Sequence, residues 1–459
     1  MSLAEETIDV QRFVDERRIG FRQIRLFCLC LLILILDGYD TVVVGYVAPQ
    51  LRAHWGVQPA QLGPLFGVGL LGLTVGSFVF GPIADRVGRR VTLIWSVILF
   101  GVASFASAFA PSLIALIALR FVTGLGLGGA MPNAYTLAVE YSPTRLRASL
   151  VAPIGCGLAV GGAVAGLFAA QAIQAYGWPS MFVVGGMLPL ILAPVLVRWL
   201  PESVRYQIAR GTPDVEVRQT MSAVFPDVSL QGVRLVCTEH APKGFPVTQL
   251  FRGGLVSGTL LLWITAFGAL LVVYFLSSWL PVLIHESGAS LSTAATMTSC
   301  YLFGNTFGAI LLGLLMDRCN PQLVLCAAFI AACAALVSFG NMIGAPILAY
   351  LTLFVIGVGT GGTTTGTNIL AASFYPTASR ATGVSWTLAF GRIGSIVGAT
   401  ATGLLVAAKW SISQIFVAAA FPLVLAAIAV ALLGWVRRAK GNPTGNQPTS
   451  ERVVAADGH

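Results

Sequence analysis

Long runs of apolar residues, bounded by glycine, proline or charge, recur from Ile24 to Val436, and only one polar stretch between them exceeds a short loop. A run of about 20 mostly apolar residues is what a helix needs to cross the hydrocarbon core of a bilayer. Read against turn and charge signals, the pattern predicts twelve spanning helices near residues 24–48, 60–84, 91–110, 112–137, 148–172, 179–200, 255–280, 291–316, 321–341, 346–370, 381–407 and 412–436. The fold class is an all-α membrane protein. Composition agrees, with 56% of 459 residues hydrophobic and 10% charged, against about 25% charged in a soluble domain. Disorder, a secreted disulfide scaffold and a collagen-like polymer are excluded. The first apolar run follows a charged stretch and is long enough to span, so it reads as a retained helix and not as a cleaved signal.

The charges fix an expected orientation. All but four of the 27 lysines and arginines lie in the N-terminal tail, the even-numbered loops or the C-terminal tail; the exceptions are Arg52, Lys409, Arg120 and Arg392. The positive-inside bias then puts both termini and the central loop in the cytoplasm. This accounts for the net charge of +9 without a nucleic-acid partner. The implied organisation is a cytoplasmic tail over 1–23, a six-helix bundle over 24–200, a cytoplasmic linker over 201–253, a second bundle over 254–436 and a tail over 437–459. The eight cysteines show no metal-ligand spacing and read as small buried hydrophobes, and the four histidines fall in loops or the tail. No metal or organic cofactor is expected.

An internal repeat supports the division. Phe121-Val-Thr-Gly124-Leu-Gly126-Leu-Gly128-Gly129 returns as Phe354-Val-Ile-Gly357-Val-Gly359-Thr-Gly361-Gly362, and Gly81-x-x-x-Asp85-Arg86 as Gly313-x-x-x-Asp317-Arg318. Tyr141-Ser-Pro-Thr-Arg145 is echoed by Tyr375-Pro-Thr-Ala-Ser-Arg380. Three pairs in one order at nearly one offset imply two homologous halves, and an even number of helices in each makes them parallel repeats with a cavity between them. The repeated glycines read as close-packing surface, since a nucleotide loop would need a preceding strand and a Lys-Ser/Thr end.

Four charges stand inside the membrane pattern. Asp37 and Asp40 lie near mid-depth of the first span, on roughly one face. A carboxylate at the bilayer centre costs about 2.5–3.5 kcal/mol, so both should point inward, either as a proton-exchanging pair or as a pair held by neighbouring helices. Arg120 in the fourth span and Arg392 in the eleventh each require an anion. Asp37 or Asp40 could serve Arg120, and an anionic substrate could serve either arginine. The repeat counterpart of Arg120 is Leu353, so this charge belongs to one half only. Trp386 and Tyr39 are candidate ring-contacting residues. Gly81, Asp85, Arg86, Gly88 and Arg89 in the second loop, their repeat counterparts Asp317 and Arg318, and the nearby Glu140 and Arg380 are candidate gating residues, because such ion pairs can differ between two states.

Gly81-x-x-x-Asp85-Arg86-x-Gly88-Arg89-Arg90, Arg120-Phe-x-x-Gly-x-Gly-x-Gly-Gly and Pro201-Glu202-Ser203 resemble signatures of the major facilitator superfamily, over essentially the whole chain. Asp37-Gly-Tyr-Asp40, Tyr375-Pro-Thr-x-x-Arg380-x-x-Gly383 and Gly391-Arg392 further resemble the aromatic acid:proton symporter family, whose members import 4-hydroxybenzoate, protocatechuate or benzoate. The resemblance implies proton-driven uptake across a bacterial inner membrane, with Asp37 and Asp40 required for coupling and Asp85, Arg86, Gly88 and Arg89 for gating. The eighth loop continues Cys319-Asn320 where the motif has Gly-Arg, which weakens the second latch. The fifth span lacks the Gly-Pro pair of drug exporters, which favours import. The expectation is a non-enzymatic, monomeric symporter for an aromatic carboxylate, with Arg392 or Arg120 on the carboxylate. The rivals are a carrier of a dicarboxylate or phenylpropionate and a non-transporting chemoreceptor.

Overall fold

The computed structural model describes residues 6–226, 232–237, 247–251, 254–342, 345–376 and 379–439. Lys243, Arg252, Lys440, Arg452, His240, His459 and the Thr377-Ala378 step of the Tyr375–Arg380 motif lie outside them.

Twelve helices among the described residues are long and apolar enough to cross a membrane. In chain order the spans are Phe21–Trp55, Pro59–Val87, Arg89–Ser107, Leu113–Glu140, Arg147–Tyr176, Pro179–Trp199, Val256–Glu286, Leu291–Arg318, Pro321–Phe339, Pro346–Phe374, Arg380–Ala407 and Ile412–Ala439. The first and seventh continue past their apolar runs. Backbone bonding does not stop where hydropathy does, and the last turns carry Arg52, His54, His285 and Glu286, whose side chains suit the interface beyond the hydrocarbon. His54 and His285 are therefore helical, not in loops as the pattern suggested. Gly56, at φ 64, ends the first span with a left-handed turn. Of the eight cysteines, Cys30 is buried and Cys28 and Cys319 are exposed, so most are not the fully buried hydrophobes expected.

The glycine repeat has a matching packing role in both halves. A Cβ at Gly124 or Gly128 would run into the carbonyl oxygens of Gly69 and Leu73 on the second span. At Gly357 and Gly361 it would run into those of Tyr301 and Asn305 on the eighth. Fourth-on-second and tenth-on-eighth are thus the same close crossing made twice.

The first six spans meet the last six mainly where the fifth touches the eighth, the second the eleventh and the first the seventh. These contacts are tight toward the face away from the termini. Gly45 abuts the Ser278 carbonyl and Gly63 that of Thr400. Ser299 Oγ donates to the Ala163 carbonyl at 2.9 Å, and Arg52 pairs with Glu286. Toward the termini face, nothing stands within 4 Å of where a Cβ would project from Gly81 or from its repeat partner Gly313. The molecule is closed on the face opposite the termini.

The termini face carries a small assembly that hydropathy did not predict. Glu6–Asp9 pairs in parallel with Val233–Val236, and the helix Val10–Asp15 is capped by Asp9. Beneath it, Phe13 meets Phe225 at 5.4 Å beside buried Val14, Val217 and Met221. Asp15 accepts from the Thr144 amide at 2.7 Å and its hydroxyl at 2.9 Å, strapping the segment to the loop between the fourth and fifth spans.

Candidate functional site

The first span reaches the site because Gly38 lets it approach the fifth. A Cβ at Gly38 would overlap the Leu158 carbonyl, and one at Gly161 that of Ile35. This crossing turns Asp37 and Asp40 into protein rather than lipid, and both are buried.

Their partners differ. Asp40 Oδ2 pairs with Arg120 Nη1 at 2.9 Å, and its Oδ1 accepts from Ser104 Oγ. Arg120 Nη2 donates to Ser107 Oγ and Thr123 Oγ1, each at 3.0 Å, and the guanidinium lies 4.8 Å from the Phe182 ring centroid. Arg120 therefore already has its anion, together with a hydroxyl cage and an aromatic face. Asp37 has less. Thr41 Oγ1 donates to its Oδ1 at 3.2 Å, and its Oδ2 has no hydrogen-bond partner.

Arg392, half-buried on the eleventh span, crosses to the other half. Its Nη1 donates to Ser77 Oγ of the second span at 3.0 Å, and no carboxylate pairs with it among the described residues. Asp37 and Tyr274 lie within its electrostatic reach. A half-buried guanidinium met by one neutral hydroxyl has donors left that an anion can take.

A cavity of about 30 Å³ is lined by Asp40, Thr41, Phe66, Arg120, Tyr274 and Ser277, among others. That is room for a water or two, so the site is collapsed in this closed arrangement. Tyr39 does not line it: its hydroxyl donates to the Met181 carbonyl at 3.1 Å and its ring rests on Gly185. Trp386 does not line it either. It is 37% exposed and stacks on Trp263 at 6.1 Å, while Phe390 stacks on Trp263 at 3.7 Å.

The second-loop residues build a network within the first half. Arg89 pairs with Glu140, which also accepts from Ser203 Oγ. Glu202 Oε1 accepts from the amides of Arg89 and Arg90 at 2.9 and 3.0 Å, capping the third span where its dipole is positive. Gly88, at φ 109, turns the chain into this cap. The Arg86 carbonyl accepts from Tyr206 Oη at 3.0 Å and also from Arg210. Asp85, Asp317, Arg318 and Arg380 are exposed, and Asp85 lies in electrostatic range of Arg89.

Asp40 and Arg120 line the cavity; Asp37 and Arg392 are not among its lining residues but lie within electrostatic range of each other, and Tyr39 and Trp386 are left aside. Sequence reasoning missed Ser104, Ser107, Thr123 and Ser77; Tyr274, a mid-helix aromatic that the sequence offers as a ring contact, does line the cavity. Ser104 and Ser107, three apart at the end of the third span, share one helix face; Ser77 is indistinguishable from any helical serine.

A profile of the Major Facilitator Superfamily matches residues 30–291 and 262–456. The chain is 41% identical over 442 residues, 95% of its length and 98% of the relative's, to the 4-hydroxybenzoate transporter PcaK of Pseudomonas aeruginosa. It is 37% identical over 431 residues, 94% and 96% of the two lengths, to a gallate transporter of Pseudomonas putida. Its fold is similar to that of a solved D-xylose-proton symporter, with a TM-score of 0.69 at 17% identity over 89% of this chain and 96% of that one.

Proposed function

The chain belongs to the Major Facilitator Superfamily, and on that premise we propose that it imports an aromatic carboxylate, such as 4-hydroxybenzoate or protocatechuate, together with protons across a bacterial inner membrane. The observation that carries this reading is Arg392: a permanent cation at the interface of the two halves, held by a neutral serine and within electrostatic range of a buried carboxylate. A substrate carboxylate completes the fork with two charge-assisted bonds. A buried aspartate of the first span supplies the proton-exchanging chemistry. The names of the two relatives, a 4-hydroxybenzoate and a gallate transporter, support a ring acid as cargo.

The termini face is the cytoplasmic one in this reading, because the arginine bias assigns it. Two bundles, 24–200 and 254–436, rock about the site with 201–253 as linker, and the chain works as a monomer because one copy supplies both halves. The Arg89–Glu140–Ser203 network, with Glu202 on the third-span cap, keeps the first bundle rigid on that face, and Asp85, Arg86, Asp317, Arg318 and Arg380 flank the opening.

Uptake of radiolabelled 4-hydroxybenzoate by expressing cells, with and without a protonophore, tests the proposal. Accumulation should collapse with the protonophore. Arg392→Ala should raise the apparent KM at least about tenfold, the scale of a lost charge-assisted pair. Wild-type cells that fail to take up any ring acid, or an Arg392→Ala variant with unchanged kinetics, would refute the reading of cargo or of anchor respectively.

A further inference from the structure

The two aspartates of the first span are not equivalent. Both oxygens of Asp40 are occupied, one by Ser104 and one by Arg120, and Arg120 is itself held by Ser107 and Thr123. A proton on Asp40 must displace that guanidinium and leave a buried arginine without a counter-ion, which is strongly unfavourable. Asp37 is wholly buried, with one donor from Thr41 and an Oδ2 that no group meets. A proton on that oxygen breaks no existing bond and removes a stranded charge. Thr41 also lines the cavity, so Asp37 stands one hydroxyl from it.

The groups within electrostatic range of Asp37 come from four spans: Thr41 and Asp40 share its own helix, Tyr135 is on the fourth, Tyr274 on the seventh and Arg392 on the eleventh. Asp40 is already neutralised by Arg120. Arg392 is left as the one cation among these that has no carboxylate hydrogen-bonded to it, and it belongs to the opposite half.

We propose that Asp37 alone exchanges the coupling proton, that Asp40 stays ionised against Arg120 throughout the cycle, and that Arg392 alternates between the charge of Asp37 and the carboxylate of the substrate. This rests on the symport reading above. A proton from outer water binds Asp37 Oδ2 and turns the carboxylate into the neutral acid. Arg392 then lacks an opposing charge and accepts the substrate anion, so the site's net charge is the same before and after loading. Once the site opens to the termini face, the proton leaves to water, Asp37 regains its charge, and its attraction for Arg392 expels the anion. Because Asp37 and Arg392 belong to different halves, the same exchange biases how the halves sit against each other.

Two readouts test this. Infrared titration of the purified protein in lipid, without substrate, follows the protonated carboxyl band. Asp37→Asn should remove a pH-dependent band that the charge-neutral pair Asp40→Asn with Arg120→Gln keeps. In vesicles, binding of 4-hydroxybenzoate to wild type should weaken about tenfold per pH unit on the alkaline side, as one linked proton requires. Asp37→Asn should make the remaining binding independent of pH and cut gradient-driven accumulation at least tenfold, whereas the binding that the Asp40→Asn/Arg120→Gln double variant retains should keep the wild-type slope with pH. A band lost with Asp40, or a double variant that binds without pH dependence, overturns the assignment. Wild-type vesicles that take up no ring acid would refute the cargo instead, while the infrared titration still decides between the two aspartates.

Discussion

Gly88 occupies a backbone conformation, φ 109 with ψ 150, that a side chain adopts only with strain. A Cβ there would also strike the Glu202 carboxylate. The two residues act together, since the glycine exposes the first amides of the third span and the glutamate caps them. Glu202→Ala should cost about 1 kcal/mol, the usual worth of an N-cap, read as a lower melting temperature of the purified protein. Gly88→Ala should cost more, because it adds backbone strain to the lost cap. Asp15 offers a pH-dependent test on the same face. Burial alone would raise its pKa, but the Thr144 amide and hydroxyl, Gln11 and the charge of Arg147 together outweigh burial and lower it from the ordinary 3.8. The strap's contribution is therefore complete at neutral pH and is lost as pH falls through that lowered value. Proteolysis of the N-terminal segment should accelerate in acid, and Asp15→Asn should show the same acceleration at pH 7.

At the scale of the element, the first span does several jobs within a few residues. Gly38 brings it against the fifth span, and the aspartates either side of that contact turn inward. The Asp40–Arg120 pair ties the first span to the fourth, each side chain 3% exposed or less. Arg120→Ala should destabilise the protein by about 3–5 kcal/mol, because it leaves an uncompensated buried carboxylate; pairing it with Asp40→Asn should recover much of the loss in thermal unfolding. Span identity was legible because burying backbone in lipid requires long uninterrupted helices. The ends were less so: the first and seventh spans overran their apolar runs, since a helix ends where its capping chemistry says and not where hydropathy falls. The strand pairing of Glu6–Asp9 with Val233–Val236 was illegible, because four-residue strands so far apart in sequence leave no periodic trace.

For the whole molecule, one ion pair among the described residues crosses between the halves, Arg52 with Glu286, on the closed face. The pair is about 30% exposed on each side, so its worth is on the order of 1 kcal/mol or less, enough to shift an equilibrium between closed and open faces about fivefold. Glu286→Gln should raise labelling of a cysteine placed at Val57 by a membrane-impermeant maleimide by up to that factor. Unchanged labelling would show that the glycine contacts, Gly45 on Ser278 and Gly63 on Thr400, hold the face alone.

By itself the sequence determined the twelve spans, the twofold repeat, the family and the presence of four buried charges, because each follows from local composition or from a pattern that survives without three-dimensional context. Only the tertiary structure decided which aspartate Arg120 takes, that Asp37 keeps an unmet oxygen, and that Arg392 reaches Ser77 across the interface. It also turned Tyr39 and Trp386 away from the cavity. The physical reason is rotational: spacing along a helix says which residues share a face, but what that face meets depends on how the helices cross, and those crossings are set by glycine contacts whose partners lie far away in the chain.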